Sequence, residues 1–293
     1  FIFDRNILDA LEDKCDARVQ FIHDQVSLLK SKLEERGSSM LIRYGKPVEV
    51  YRSLLSEFEI EAVYTNRDYE PYATERDSQI EQLLKENGAS LFKFKDQVIF
   101  EPGEILNGSG EFYKVFTPFS KNWLEKFKQS KVQPFPEPNW KNLFSTSPLS
   151  GITLEEMGFK PSQISIPPKT TDRNLIKTYD ETRNFPAKPG TTRLGIHLRF
   201  GTISVRQLAL EAAGLNDTYL NELIWREFYM MILSFSPQVV DKAFKPAYDH
   251  IPWRNNEVEF KAWCEGKTGY PIVDAGMREL NETGYMHNRV RMI

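Results

Sequence analysis

Apolar and polar positions alternate between two periods over the first hundred residues. Phe1-Ile2-Phe3 reads as the end of a buried strand, residues 19–36 as an amphipathic helix closed by Gly37, and Met40-Leu41-Ile42-Arg43 as a second strand. A helix over 48–58, the strand Ala62-Val63-Tyr64, a helix over 76–87 capped by Gly88 and the strand Ser90-Leu91-Phe92-Lys93-Phe94 follow. Strands and helices in this order predict a parallel sheet with helical crossovers. Such a sheet normally has its own strand and helix before a position like Phe1, so a strand–helix unit is expected to be missing from the front. From residue 173 the strand period disappears. Helical spacing then runs through 173–184, 195–200, 204–213, 219–235, 258–265 and 271–284, and from Met286 to the end, where no capping residue closes the helix.

Between these halves lie Pro134, Pro136, Pro138, Pro148, Pro161, Pro167 and Pro168, the composition of a linker. Trp140, Leu143, Phe144, Met157 and Phe159 are its candidate anchors. Charge divides in the same region: 21 basic against 26 acidic side chains up to residue 165, and 17 against 15 beyond it. A net charge of −3 excludes a uniformly basic coat but leaves room for a local nucleic-acid-binding surface. No apolar run approaches the roughly 18–20 residues that cross a bilayer, so no membrane partner is expected. Cys15 and Cys264 stand far apart without a CxxC, which fits a reducing, cytoplasmic setting. The four histidines, His23, His197, His250 and His287, lack metal-ligand spacing, and no metal site is expected.

Three stretches carry candidate chemistry. In Asn221-Glu222-Leu223-Ile224-Trp225-Arg226-Glu227-Phe228-Tyr229, helical spacing puts Glu222, Trp225, Arg226 and Tyr229 on one face. They could line a polar aromatic wall, or Glu222 and Arg226 could simply pair on the surface. Pro189-Gly190-Thr191-Thr192-Arg193-Leu194-Gly195 offers two hydroxyls and a guanidinium to an anion such as a pyrophosphate, or an ordinary helix cap. Gly266-Lys267-Thr268-Gly269 looks like the tail of a phosphate-binding P-loop, but no glycine lies between Glu259 and Glu265, so a tight turn before Pro271 is expected instead.

Taken with Gly266-Lys267-Thr268-Gly269-Tyr270-Pro271-Ile272-Val273-Asp274-Ala275 and Gly284-Tyr285-Met286-His287-Asn288-Arg289-Val290-Arg291-Met292, the Asn221–Tyr229 stretch resembles the photolyase and cryptochrome family. Tyr64-Thr65-Asn66-Arg67-Asp68-Tyr69-Glu70-Pro71, Tyr113-Lys114-Val115-Phe116-Thr117-Pro118-Phe119 and Asn184-Phe185-Pro186 extend the resemblance over essentially the whole chain, most like a class I cyclobutane pyrimidine dimer photolyase. The resemblance implies an α/β antenna domain with a doubly wound, Rossmann-like parallel sheet over residues 1–130, and an interdomain linker over 131–168. An all-α FAD- and DNA-binding domain, incomplete at its C-terminal end, would fill 169–293. The implied activity is light-driven repair of pyrimidine dimers in UV-damaged DNA, by electron transfer from excited reduced FAD to a flipped-out dimer, in a monomer. A cryptochrome photoreceptor and a six-four photoproduct photolyase are the alternatives.

By the same resemblance, Tyr179, Thr191, Thr192, Arg193, Leu194, Gly195, Tyr219 and Arg226 hold the flavin. Arg183, Arg226, Tyr229, Asn288, Arg289 and Met292 line the lesion cavity or meet the DNA. Glu222 hydrogen-bonds the pyrimidine edges, Trp225 stacks on the dimer, and Trp263 is the surface end of a tryptophan chain that re-reduces the flavin. Tyr72-Ala73 stands where folate-binding relatives place an Asn-Glu pair. That disfavours folate and leaves a second, antenna chromophore open.

Overall fold

The computed structural model describes all 293 residues, which form two compact units. The first comprises residues 1–101, 133–163 and 198–204, and the second residues 102–132, 164–197 and 205–293. The units therefore do not follow the expected boundaries along the chain: residues 102–132 belong with the helical unit, and most of the Pro-rich stretch belongs with the front unit.

The front unit runs β1 (Ile2–Asp4), α1 (Arg5–Leu8), α2 (Ala17–Glu34), β2 (Arg43–Gly45), α3 (Pro47–Glu57), β3 (Ala62–Asn66), α4 (Pro71–Glu86) and β4 (Ser90–Phe94). β1 pairs parallel with β2, Phe3 opposite Tyr44, and β3 pairs parallel with β4, Tyr64 opposite Phe92. Parallel neighbours need a crossover, and α2 and α4 supply them. The two pairs are separate, not one continuous sheet. A cavity of about 320 Å³ lined by Phe1, Ile2 and Asp4, by Thr65 and Leu91, and by side chains of α3 and α4 adjoins both pairs. α4 starts five residues earlier than the periodicity indicates. Pro71 takes its first position, where the missing N–H costs nothing.

Apolar side chains of β1, α1 and α2 form a core with the Pro-rich segment: Phe3, Leu8, Val19, Val26 and Ile42 meet Leu154, Met157 and Phe159. The His23 ring nitrogen Nε2 lies 2.9 Å from the carbonyl of Ile152, and the guanidinium of Arg36 lies over the Trp140 ring. Trp140, Met157 and Phe159 thus anchor this segment as expected. Phe144 does not, being 83% exposed.

The second unit begins with α5 (Phe116–Gln129) and continues with α6 (Arg173–Lys177), α7 (Tyr179–Thr182), the start of α8 (Gly195–Arg199), α9 (Val205–Ala213), α10 (Asp217–Phe235), α11 (Glu257–Cys264), α12 (Pro271–Thr283) and α13 (Asn288–Arg291). The single helix expected over 173–184 is broken at Thr178, whose ψ of 17° turns the chain between α6 and α7. The helix expected from Met286 reduces to α13, one turn long.

α10 is the unit's central element. Asn216 caps it by accepting the Tyr219 N–H, and Tyr219, Leu220, Leu223, Ile224, Glu227, Phe228 and Met231 form its buried stripe. α5 packs along it: Phe119 lies against Phe228, and the fully buried Trp123 donates its indole N–H to Glu227 at 2.6 Å. Just before α5, Phe112 stacks on Phe235 with ring centroids 4.9 Å apart. An unpaired buried carboxylate would be costly, so the Trp123–Glu227 bond fixes the register of the two helices.

No helix is long and apolar enough to cross a membrane. No group of three or more His, Cys, Asp or Glu side chains is placed to hold a metal ion.

Candidate functional site

With its buried stripe turned inward, α10 leaves Glu222, Trp225, Arg226 and Tyr229 on the half-buried side, as helical spacing predicts. Glu222 does not pair with Arg226. Its Oε1 accepts a hydrogen bond from Nη1 of Arg183, at the end of α7, at 2.5 Å. The pair is partly shielded, with side-chain exposures of 19% for Arg183 and 33% for Glu222, so it is screened less than a surface pair. Arg183 also lies over the Tyr179 ring, one turn earlier on α7, at 5.3 Å from its centroid.

Tyr179 links this pair to the Thr191–Arg193 loop. Its ring meets that of Tyr219 edge to face at 5.0 Å, and the Tyr219 and Thr192 hydroxyls are hydrogen-bonded at 3.0 Å. Burial, reinforced by the nearby Glu222 carboxylate, pushes the Tyr179 hydroxyl up to about 12. Tyr179 therefore keeps its proton at any working pH and remains a donor. Burial also raises the Tyr219 hydroxyl, against the opposing hydrogen bond from Thr192.

The loop is more than a cap. Thr191 Oγ1 lies 2.9 Å from the Tyr285 hydroxyl, and the Arg193 guanidinium lies over the Tyr285 ring at 4.3 Å. Arg193 has a φ of 53°, a left-handed conformation that costs a non-glycine residue of order 1 kcal/mol and tends to persist where a site needs it. Gly190 fits only without a side chain, because a Cβ there would stand 2.7 Å from the Thr182 Cβ. Leu194 is buried beneath the loop. Gly195 opens α8, which is only five residues long, so the anion-binding capacity rests on the hydroxyls and guanidinium and not on a helix terminus.

A further group faces this region from the chain's last residues. Arg289 donates from Nε to the Asn184 side chain at 2.9 Å, next to Arg183, and Asn288 and Arg289 both lie within 4 Å of the Met292 sulfur. His287 caps α13 by accepting the Arg289 N–H at Nδ1, while its buried Nε2 has no hydrogen-bond partner in the chain. With Nδ1 committed as acceptor, Nε2 carries the proton and is a buried donor awaiting an acceptor.

Not every expected residue joins the site. Trp263 is 45% exposed on α11 and stacks on Phe260 at 5.8 Å, and its ring makes no aromatic contact or hydrogen bond with α10 or the loop. Gly266-Lys267-Thr268-Gly269 is a structural turn, as expected. Asp274 accepts from the Thr268 N–H and hydroxyl and the Gly269 N–H, Arg278 clamps the Gly266 carbonyl, and Lys267 pairs with Glu265. The Thr268 hydroxyl, with the two backbone N–H groups, holds the Asp274 carboxyl below its ordinary 3.8. A depressed folded value means the contribution is complete above the ordinary carboxyl range and disappears as pH falls through the folded value. Below about pH 4 the melting temperature of the native chain should therefore fall towards that of Asp274→Asn, while near neutrality the variant should melt lower. Equal melting curves at neutral pH would show that the turn does not depend on the carboxylate.

Sequence reasoning missed Tyr285, Asn184 and Phe116, whose ring stacks on Trp225 with centroids 3.6 Å apart. Each lies inside a stretch that carried the family resemblance, but none belongs to a local pattern that predicts its partner.

Known families share this organisation. Residues 1–139 match the family model for DNA photolyase, and residues 219–293 that for the FAD binding domain of DNA photolyase. The chain belongs to the photolyase and cryptochrome family. A deoxyribodipyrimidine photo-lyase of a Synechococcus strain is 36% identical over the whole of this chain and 66% of its own length, and that of Escherichia coli is 34% identical over 94% and 63%. Among solved structures, a class III photolyase from Agrobacterium tumefaciens superposes with a TM-score of 0.81 at 30% identity, covering 97% of this chain and 63% of that one. An archaeal photolyase from Sulfolobus tokodaii, determined with two FAD molecules, gives 0.76 at 30% identity, covering 100% and 66%. The chain thus spans just under two thirds of these relatives.

The residues present fit an FAD. The Thr191–Tyr285 and Thr192–Tyr219 hydroxyl pairs and the Arg193 guanidinium over Tyr285 form a donor-rich set suited to a phosphate-bearing, acceptor-rich ligand, and His287 Nε2 is a separate buried donor without a partner in the chain.

Proposed function

We propose that this chain is part of a light-dependent DNA repair enzyme that binds FAD and acts on cyclobutane pyrimidine dimers. The observation that supports this most is the unbroken path from Thr192 through Tyr219, Tyr179 and Arg183 to Glu222. It joins the Thr191–Arg193 loop to the Glu222 face through one set of packed side chains, which supports reading the first as a phosphate contact and the second as a base-recognition surface. The doubly wound sheet is part of the same proposal: the two parallel pairs and the cavity that adjoins both are its support.

A dimer cannot be reached inside a duplex and has to be turned out of the stack. Trp225 offers a flat surface for it, and base–aromatic stacking contributes roughly 1–3 kcal/mol. Glu222 offers a carboxylate to the imide N–H on the pyrimidine edge. With its Oε1 accepting from Arg183, the carboxylate would act as a charge-balanced acceptor. Arg183 and Arg289 would add cations for the flanking phosphates. When bound, reduced FAD supplies the excited electron that opens the dimer and receives it back. The chain's part is to hold the lesion close, keep water out and supply fixed dipoles to the charge that develops on the pyrimidines.

The test is loss of thymine dimers from irradiated DNA by the full-length protein reconstituted with reduced FAD, under blue light and in the dark. Loss in light only is expected. Tight FAD binding without light-dependent loss would move the assignment to a photoreceptor or to a different photoproduct.

A further inference from the structure

The indole of Trp225 is covered on both faces, and the two covers differ. Phe116, the first residue of α5, lies parallel to it with centroids 3.6 Å apart and planes 6° from parallel. Tyr229, one helical turn further along α10, stacks from the other side at 5.5 Å and 26°, and has no ring contact with Phe116. Phe116 is locked in place. Its ring meets Phe228 edge-on at 5.8 Å, and α5 is fixed to α10 by Phe119 against Phe228 and by the Trp123–Glu227 bond. The Tyr229 ring is held far less. It is 61% exposed, its stack on the indole is wider and tilted, and its hydroxyl makes no hydrogen bond within the chain. Its one other ring neighbour is Phe228, at 5.8 Å and 62°.

We infer that Tyr229 is a place-holder: in the DNA-free protein its ring occupies the face of Trp225 on which a flipped pyrimidine stacks, and the incoming base displaces it. The inference rests on the proposed role of Trp225 as the base-stacking surface. Opening the Phe116 side would mean parting α5 from α10, so the Tyr229 side is the face that can be vacated. An exposed helical side chain changes rotamer in picoseconds to nanoseconds, and the ring can leave without moving the backbone. Magnitudes favour the exchange. A stacked aromatic pair is worth a factor of about 2–10 in an equilibrium, and base–aromatic stacking a factor of about 5–150. The ring therefore yields to a base, but the apparent affinity is reduced by the fraction of protein in which the ring is in place. A base that stays inside the duplex cannot stack there and gains nothing from the exchange.

The experiment uses the full-length, FAD-loaded protein with Tyr229→Ala, which removes the cover, and with Tyr229→Phe, which keeps the ring. Two readouts are taken: acrylamide quenching of Trp225 fluorescence without DNA, obtained by difference from the matching Trp225→Phe proteins, and the Kd for a dimer-containing oligonucleotide relative to an undamaged one. Tyr229→Ala should expose the indole to the quencher and tighten dimer-specific binding by about 2- to 10-fold, and Tyr229→Phe should do neither. The sign is decisive, because a tyrosine that serves only as a contact to the DNA would weaken binding when removed. In a Trp225→Ala background, Tyr229→Ala should not tighten dimer binding, since its effect passes through the indole. Unchanged quenching in Tyr229→Ala, unchanged or weaker dimer binding, or equal tightening in both backgrounds overturns the inference. If the native protein shows no preference for dimers, the repair reading falls, while the quenching still decides whether Tyr229 covers the indole.

Discussion

Replacing Glu222 with alanine should weaken binding to dimer-containing DNA by about ten- to a hundredfold and leave FAD content unchanged. The magnitude follows from losing a charged acceptor from a partly buried site, about 1.5–3 kcal/mol. The direction for undamaged DNA differs. Removing the carboxylate releases Arg183 from its 2.5 Å partner and leaves a cation beside the same surface, so attraction to phosphates should hold or rise. The expected signature is a narrowed ratio of damaged to undamaged binding, together with a steeper salt dependence for the undamaged strand. Arg183→Ala should act in the opposite sense on undamaged DNA and also weaken dimer binding, since it leaves Glu222 without its counter-charge. Fluorescence-anisotropy titrations at two salt concentrations, with flavin absorbance read in the same samples, separate these effects. Native discrimination by Glu222→Ala would remove Glu222 from lesion recognition.

That pairing also shows where sequence reasoning loses its reach. Spacing on α10 groups Glu222, Trp225, Arg226 and Tyr229 correctly, because a helix face depends only on local geometry. It also makes Arg226 the natural partner of Glu222, four residues on. The actual partner arrives from α7, and the ring against Trp225 arrives from α5, both by packing that no local period encodes. The loop at Thr191–Arg193 was legible as chemistry, but its contacts with Tyr219 and Tyr285 were not.

The fold divides in the same way. Elements with a clear period, such as α2, α10 and α12, lie within a few residues of where the pattern puts them. α5 was legible in principle: Phe116, Phe119, Trp123 and Phe127 form a helical stripe, and Pro118 sits in the first turn, where it is tolerated. The break at Thr178 carries no glycine or proline to announce it. Strand pairing is decided by partners distant in the chain, so the separation of β1–β2 from β3–β4 lay beyond the pattern.

In the full-length protein, Arg193→Ala should reduce FAD affinity by about ten- to a hundredfold, the cost of a charge-assisted contact to a phosphate. Arg193 is held over Tyr285, its ion pair with Glu279 is long at 3.5 Å, and its backbone occupies the left-handed region. A guanidinium whose one ion pair is this long can turn to a phosphate without breaking a strong contact, which is the basis of the expected loss. Two further substitutions separate charge from strain. Arg193→Gly relieves the backbone, so it should recover thermal stability relative to alanine without recovering flavin. Arg193→Lys keeps the charge but not the planar fork, so it should recover flavin only in part. The measurement is flavin absorbance per protein after dialysis against a series of FAD concentrations, with melting temperatures of the same preparations. Native flavin retention in the alanine variant would rule out Arg193 as the anion contact, and full recovery by glycine would assign the loss to the backbone instead.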